Sequence, residues 1–275
     1  MAIVFNKLLI PVDFSPNTWL AIKKAAGLIG TDKAVLHLLH VVNPHQPIAA
    51  LAAKTELEQL GQRTKEDHPG LEIKTQILKG YSVQRMIIEY AKILKPDLIV
   101  IGKQNDRRRW AFFHPRHWPP FRAISPDVLA QKTNCPVLTA KPGSIDSRTK
   151  VIVIPIRDFL PERKLEWGVL LARKYKAQIH LLAIRENYQS GLPQVFLKAY
   201  HHLRESLHHP IEFSTVMQHN PARAVLNYAE LIMADMILVN PATESGLTSL
   251  TGSRHISDLL GRDSKIQVLD VEPYK

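Results

Sequence analysis

Four short segments in the first half of the chain return in the second half, in the same order and with gaps of similar size. Lys7-Leu-Leu-Ile-Pro11-Val12 returns as Val151-Ile-Val-Ile154-Pro155-Ile156, an apolar run that carries a proline near its end. Val35-Leu-His-Leu-Leu-His-Val41 returns as Ile179-His-Leu-Leu-Ala-Ile184. Tyr90-Ala-Lys-Ile-Leu-Lys-Pro-Asp97-Leu-Ile-Val-Ile-Gly102 returns as Tyr228-Ala-Glu-Leu-Ile-Met-Ala-Asp235-Met-Ile-Leu-Val-Asn240, and Pro136-Val-Leu138 returns as Gln267-Val-Leu269. Ordered recurrence of this kind is the mark of a duplicated structural unit. The boundary falls in the polar, turn-rich stretch Lys141-Pro-Gly-Ser-Ile-Asp-Ser-Arg148, which suits a linker and places the two domains at 1–145 and 149–275. A length of 275 residues gives each copy room for its own core.

Within each copy, short β-branched runs alternate with longer amphipathic stretches. The runs at 8–12, 35–42, 98–102 and 136–140 carry no Asp, Glu, Lys or Arg and read as strands buried on both faces, as in parallel sheets. Residues 16–30 put Trp19, Ala21, Ile22, Ala25, Ala26 and Ile29 on one helical face, with Ser15 as N-cap and Pro16 at the first helical position. Residues 82–94 do the same with Val83, Met86, Ile87, Tyr90, Ala91 and Leu94, capped by Ser82. Such alternation predicts an α/β fold: two tandem open, twisted, mostly parallel five-stranded sheets flanked by helices. Ligands of such sheets bind beyond the carboxyl ends of the strands, where the strand order reverses. The loops after Ile10, Val41 and Ile101 are therefore expected to converge on one crevice.

The order of features resembles the universal stress protein family, and hence an adenine nucleotide alpha hydrolase-like fold. It rests on Ile10-Pro-Val-Asp13-Phe-Ser15, a second strand ending His40-Val41, Asp97-Leu-Ile-Val-Ile-Gly102, and Cys135-Pro-Val-Leu138. The likeness covers nearly all of residues 6–142, with a weaker version over 150–271. It implies a stress-response regulatory or interaction protein. It also implies ATP as the one cofactor to consider, at Pro11, Val12, Asp13, Val41, Gly102 and Ser125 in the first copy and Gly246, Gly252 and Ser253 in the second.

Members of the family that hold ATP carry a Gly-x-x-Gly loop after the fourth strand and a later Gly-Ser or Gly-Thr opening a helix. Glycines let backbone N–H groups approach the phosphates, and the helix terminus favours their charge. The first copy keeps Gly102 but follows it with Lys103-Gln-Asn-Asp106, leaving Lys103 to reach a phosphate as a point charge and Ser125 as the last hydroxyl. The second copy has Asn240-Pro-Ala-Thr243 in place of the glycines, retains Gly246 and Gly252-Ser253 before an expected helix at 254–260, and puts Arg157 where the first has Asp13. An arginine cannot accept a hydrogen bond from a ribose hydroxyl; Asp158 would do so only through a longer turn. Each copy thus holds half a site, and the expectation is weak or no ATP binding. The alternative is an adenine-nucleotide module with at most slow hydrolysis.

Residues 103–122 hold two tryptophans and three phenylalanines among their arginines. Either this loop folds over the first copy's crevice through Trp110 or Trp118, or it offers a docking surface to a protein partner. The other partners expected are the chain's own second half, in an internal pseudo-dimer through Pro136–Ala140 and Ile266–Val271, and a second copy as a homodimer. The net charge of +11 invites nucleic acid, but no nucleic-acid motif accompanies it, so a solvated basic surface is the reading. No P-loop, zinc-protease or nucleophile-elbow motif occurs. No nucleophile–base constellation emerges, and the chain is not expected to be an enzyme. Neither Cys135, before Pro136, nor the histidines at 114, 117, 201, 202, 208 and 209 form a reactive or metal-ligating set. The apolar opening runs into Pro11 and Asp13, so it reads as a strand rather than a leader. A single cysteine and no membrane-length apolar run point to the cytoplasm.

Overall fold

The computed structural model describes residues 5–29, 34–103, 124–145, 148–157, 159–185, 192–208, 210–217, 220–244, 246–249, 252–261 and 263–274. The first half runs β1 (Lys7–Val12), α1 (Pro16–Ile29), β2 (Val35–Val42), α2 (Pro47–Asp67), β3 (Glu72–Lys79), α3 (Val83–Leu94), β4 (Leu98–Gly102), α4 (Pro126–Thr133) and β5 (Val137–Ala140). The second runs β6 (Val151–Ile156), α5 (Glu162–Tyr175), β7 (Gln178–Arg185), α6 (Leu192–Ser206), β8 (Ile211–Met217), α7 (Pro221–Leu231) and β9 (Met236–Val239). A hairpin of β10 (Gly246–Ser249) and β11 (Gly252–His255) follows, then α8 (Ile256–Leu259) and β12 (Gln267–Asp270).

Ten of these strands form one sheet in the order β3-β2-β1-β4-β5-β12-β9-β6-β7-β8. Read outward from the middle, each half has the same order. In this sheet neighbours are parallel within each half, and its one antiparallel pair among the described residues is β5 with β12, Val137 opposite Asp270 and Thr139 opposite Val268. The last strands therefore join the halves into a continuous sheet, as the pseudo-dimer reading requires.

The duplication extends to hydrogen bonds. Asp97 Oδ2 accepts from the backbone N–H groups of Asn6 and Lys7 at 2.7 and 2.9 Å, and Asp235 Oδ2 accepts from those of Lys150 and Val151 at 2.7 and 3.0 Å. Each aspartate thus pairs donors at the entry to its half's first strand, which ladder pairing leaves open there. Ahead of each, Lys95 and Met233 hold left-handed backbone (φ 50° and 53°) where α3 and α7 end. His37 and Tyr90 meet at 3.5 Å between β2 and α3; His180 and Tyr228 meet at 3.1 Å between β7 and α7.

The helix caps follow the sequence. Ser82 accepts from the Arg85 N–H at the start of α3, and Ser15 Oγ accepts from the Asn17 N–H at the start of α1. One expected core residue departs: Trp19 is 38% exposed, and Thr18 and Leu20 beside it are buried. Thr18 turns inward because its hydroxyl donates to Asp13. A larger correction concerns residues 254–260. Gly252–His255 forms the second strand of the hairpin, and the helix starts only at Ile256, with His255 as its cap. Extended pairing of Thr248 with Ser253 and Leu247 with Arg254 wins over the expected helical turn. The loop from residue 104 onward through 123, Asp158 and His209 lie outside the described residues.

Candidate functional site

In the first half β1 lies between β2 and β4, so the strand order reverses between β1 and β4. The parallel registers Val12 to His40 and Gly102 to Ala140 bring the ends of these strands to one edge. Pro11, Val12, Asp13, Val41 and Gly102 therefore stand around one crevice mouth. The carbonyl of Val12 accepts a hydrogen bond from His40 Nδ1 at 2.7 Å, and the ring of Phe14 lies 4.6 Å from that imidazole. Phe14 holds left-handed backbone (φ 55°), a conformation costly for a residue with a side chain.

Asp13 is organised from its own turn. Its Oδ1 accepts from the Ser15 N–H at 3.0 Å, the Ser15 hydroxyl at 2.6 Å and the Thr18 hydroxyl at 2.9 Å. Its Oδ2 is buried and has no partner. One carboxylate oxygen thus closes the turn into α1, and the other keeps unused accepting capacity inside the fold.

The remaining first-half positions are more committed. A side-chain carbon at Gly102 would stand 2.0 Å from the Asn17 carbonyl oxygen, so this glycine is required by the packing of α1 on β4. Lys103 forms an ion pair with Asp258 of the second half, Nζ to Oδ1 2.6 Å; a carboxylate already balances its charge. The Ser125 hydroxyl donates to Asp127 and accepts nothing from the N–H groups opening α4, while its own N–H donates to Gln84 Oε1 at 2.9 Å.

The matching mouth of the second half is filled by its own side chains. Lys164 Nζ donates to the Pro155 carbonyl at 2.6 Å and to both oxygens of Glu244 at 2.9 and 2.6 Å. Glu244 Oε2 also accepts from the Asn240 N–H at 2.8 Å. Both side chains are almost wholly buried. Burial pushes the lysine down and the glutamic acid up, and each charge opposes the other's shift. Arg157 donates to the Thr243 carbonyl at 3.2 Å. Gly246 pairs with His255 at the open end of the hairpin and Gly252 with Ser249 at its turn end, so Gly252-Ser253 stands in a strand and not at a helix terminus.

Sequence reading missed two features. The first is the Lys164–Glu244 pair. The second is a chain in which Ser257 Oγ lies 2.6 Å from His255 Nδ1, whose Nε2 lies 2.9 Å from Asp270 Oδ1. The order of groups is that of a hydrolase triad, but Ser257 is fully buried and its own N–H also points at His255 Nδ1, 3.1 Å away. That geometry caps α8. Cys135 is buried, donates to the Pro96 carbonyl, and has its thiol pushed up to about 12 by burial. Among the described residues no three metal-ligating side chains gather, and no helix is long and apolar enough to cross a membrane.

Residues 5–141 match the family model described as the universal stress protein family. Through them the chain belongs to that family. The whole chain resembles solved structures in fold. A universal stress protein from Archaeoglobus fulgidus DSM 4304 superposes with a TM-score of 0.63 at 15% identity, covering 98% of this chain and 96% of that one. A functionally unknown protein from Pseudomonas aeruginosa PAO1 gives 0.58 at 17%, covering 98% and 93%. The cytoplasmic domain of a prokaryotic cation chloride cotransporter gives 0.55 at 13%, covering 98% and 96%. No curated protein matches the sequence significantly. The universal stress protein architecture thus spans both halves, while the family's sequence pattern matches only the first.

Proposed function

We propose that this universal stress protein is a cytoplasmic regulatory or interaction protein of the stress response, with weak or no ATP binding and no turnover of its own. We also take 1–145 and 149–275 as its two domains. The observation that carries this reading is the Lys164–Glu244 pair, which occupies the second half's crevice mouth with groups satisfied inside the fold. In the first half Gly102 is used for packing, and Lys103 already has a counter-ion. The second reading, an adenine-nucleotide module confined to the first half, is favoured by the unpartnered buried Oδ2 of Asp13.

Calorimetric titration of the full chain with ATP separates the two. The expected result is no more than one site per chain, with a Kd weaker than roughly 100 μM, weakened further by Asp13→Ala. Tight binding at one site that Asp13→Ala abolishes would establish the second reading. Two sites per chain, or tight binding indifferent to Asp13, would overturn both.

A further inference from the structure

The two halves differ in how the outer helix lies on the outer strand. In the first half, a side-chain carbon at Gly61 of α2 would stand 2.9 Å from the methyl group of Thr75 on β3. These small residues let helix and strand touch. In the second half Tyr200 stands where Gly61 does, counted back from the end of the helix, where the N–H of His68 and that of Leu207 each donate to the carbonyl four residues earlier. Phe213, opposite Leu181, stands where Thr75 lies opposite Leu38. The ring of Phe213 meets those of Phe196 and Tyr200 edge-on, with centroids 6.1 and 6.3 Å apart. Three rings in place of a glycine and a methyl group prop α6 off the sheet.

A groove of about 460 Å³ lies between α6, β7 and β8, within the range of small-molecule sites, about 300–1,000 Å³. Its walls are apolar apart from Thr215 and Arg185. Phe213 is 64% exposed and Leu197 54%, although Phe213 stands on the face of β8 that α6 covers. Exposed aromatic surface in a concavity is a mark of binding. Among the described lining residues Arg185 is the charged one, and its planar guanidinium matches a carboxylate or sulfonate.

We propose that this groove binds a small amphipathic organic anion. The apolar body lies against Phe196, Leu197, Tyr200 and Phe213, and the acid group lies on Arg185. The site is independent of the nucleotide crevices, being built from the outer strands of the second half.

The full chain titrated with 1-anilinonaphthalene-8-sulfonate tests this by fluorescence. Binding should saturate at one probe per chain and be displaced by decanoate far better than by decanol. Arg185→Gln should weaken decanoate by about tenfold and leave decanol unchanged. Thr215→Trp, on the exposed outer strand, should fill the groove and remove probe binding while the melting temperature holds. Leu197→Glu should do the same through its charge. Probe binding that does not saturate, or that survives both groove variants, overturns the proposal. Equal displacement by decanoate and decanol overturns it too. A dimer that dissociates on Thr215→Trp, with no probe binding, would assign the groove to a second copy and also overturn it.

Discussion

An ammonium buried as deeply as Lys164 loses several kcal/mol of hydration before any partner compensates. Its two bonds to Glu244 and one to the Pro155 carbonyl restore the lost contacts, so removing one partner should cost more than removing both. Lys164→Met is expected to destabilise the protein by about 3–5 kcal/mol, with Lys164→Met/Glu244→Leu recovering most of that loss; urea unfolding of both single variants and the double variant gives the coupling. If the double variant were as unstable as the sum of the singles, the two side chains would not act as a pair. This pair was illegible in the sequence because 80 residues separate its members and no local pattern links them. Asp97 and Asp235 were legible because the repeat prints them twice. What each aspartate does, pairing the N–H groups at the entry to its half's first strand, needed coordinates. Asp13 falls between these cases: its place after β1 could be read, but the division of labour between its two oxygens could not.

Strands and helices with strong patterning were readable to within a residue or so: α1, α3 and the four inner runs of the first half. The departures fall where local pattern was weak. Gly252-Ser253-Arg254 carries N-cap chemistry, but Leu247 and Thr248 supply strand partners, and extended pairing prevails. The outer strands β3 and β8, with their exposed faces, lack the uninterrupted apolar run that betrays their neighbours. Between strand and helix, the His37–Tyr90 and His180–Tyr228 contacts carry a pH signature. Burial lowers both imidazoles below their ordinary value, the nearby lysines 74 and 7 adding to the effect at His37. The unfolded chain takes up those protons near pH 6.5, and the folded chain only at lower pH. Between these values the unfolded state binds more protons, so stability falls as pH drops through the window and levels off beneath it. Melting temperatures from pH 8 to pH 5 should show this decline, and His37→Gln/His180→Gln should flatten it. An unchanged slope in the double variant would place the acid sensitivity elsewhere.

Ten of the described strands make one sheet because β5 and β12 close on each other. That junction was foreseeable from the duplication, since two like domains each ending in a β-branched edge strand can satisfy that edge together. Expressed apart, residues 1–145 and 149–275 would each expose it. Each piece is expected to self-associate or lose solubility, whereas the full chain stays intact; sedimentation of the three proteins checks this, and two well-behaved monomeric pieces would refute it. The fusion also changes what substitution can do. In a symmetric pair of identical subunits every change appears on both sides of the axis, so a residue that benefits one side must be tolerated by the other. Here the axis is only approximate, and each side has its own stretch of gene. A glutamate can seal one mouth while an aspartate keeps a spare oxygen in the other, and a tyrosine can lift one outer helix while a glycine seats its counterpart. Joining the copies end to end freed them to become unlike.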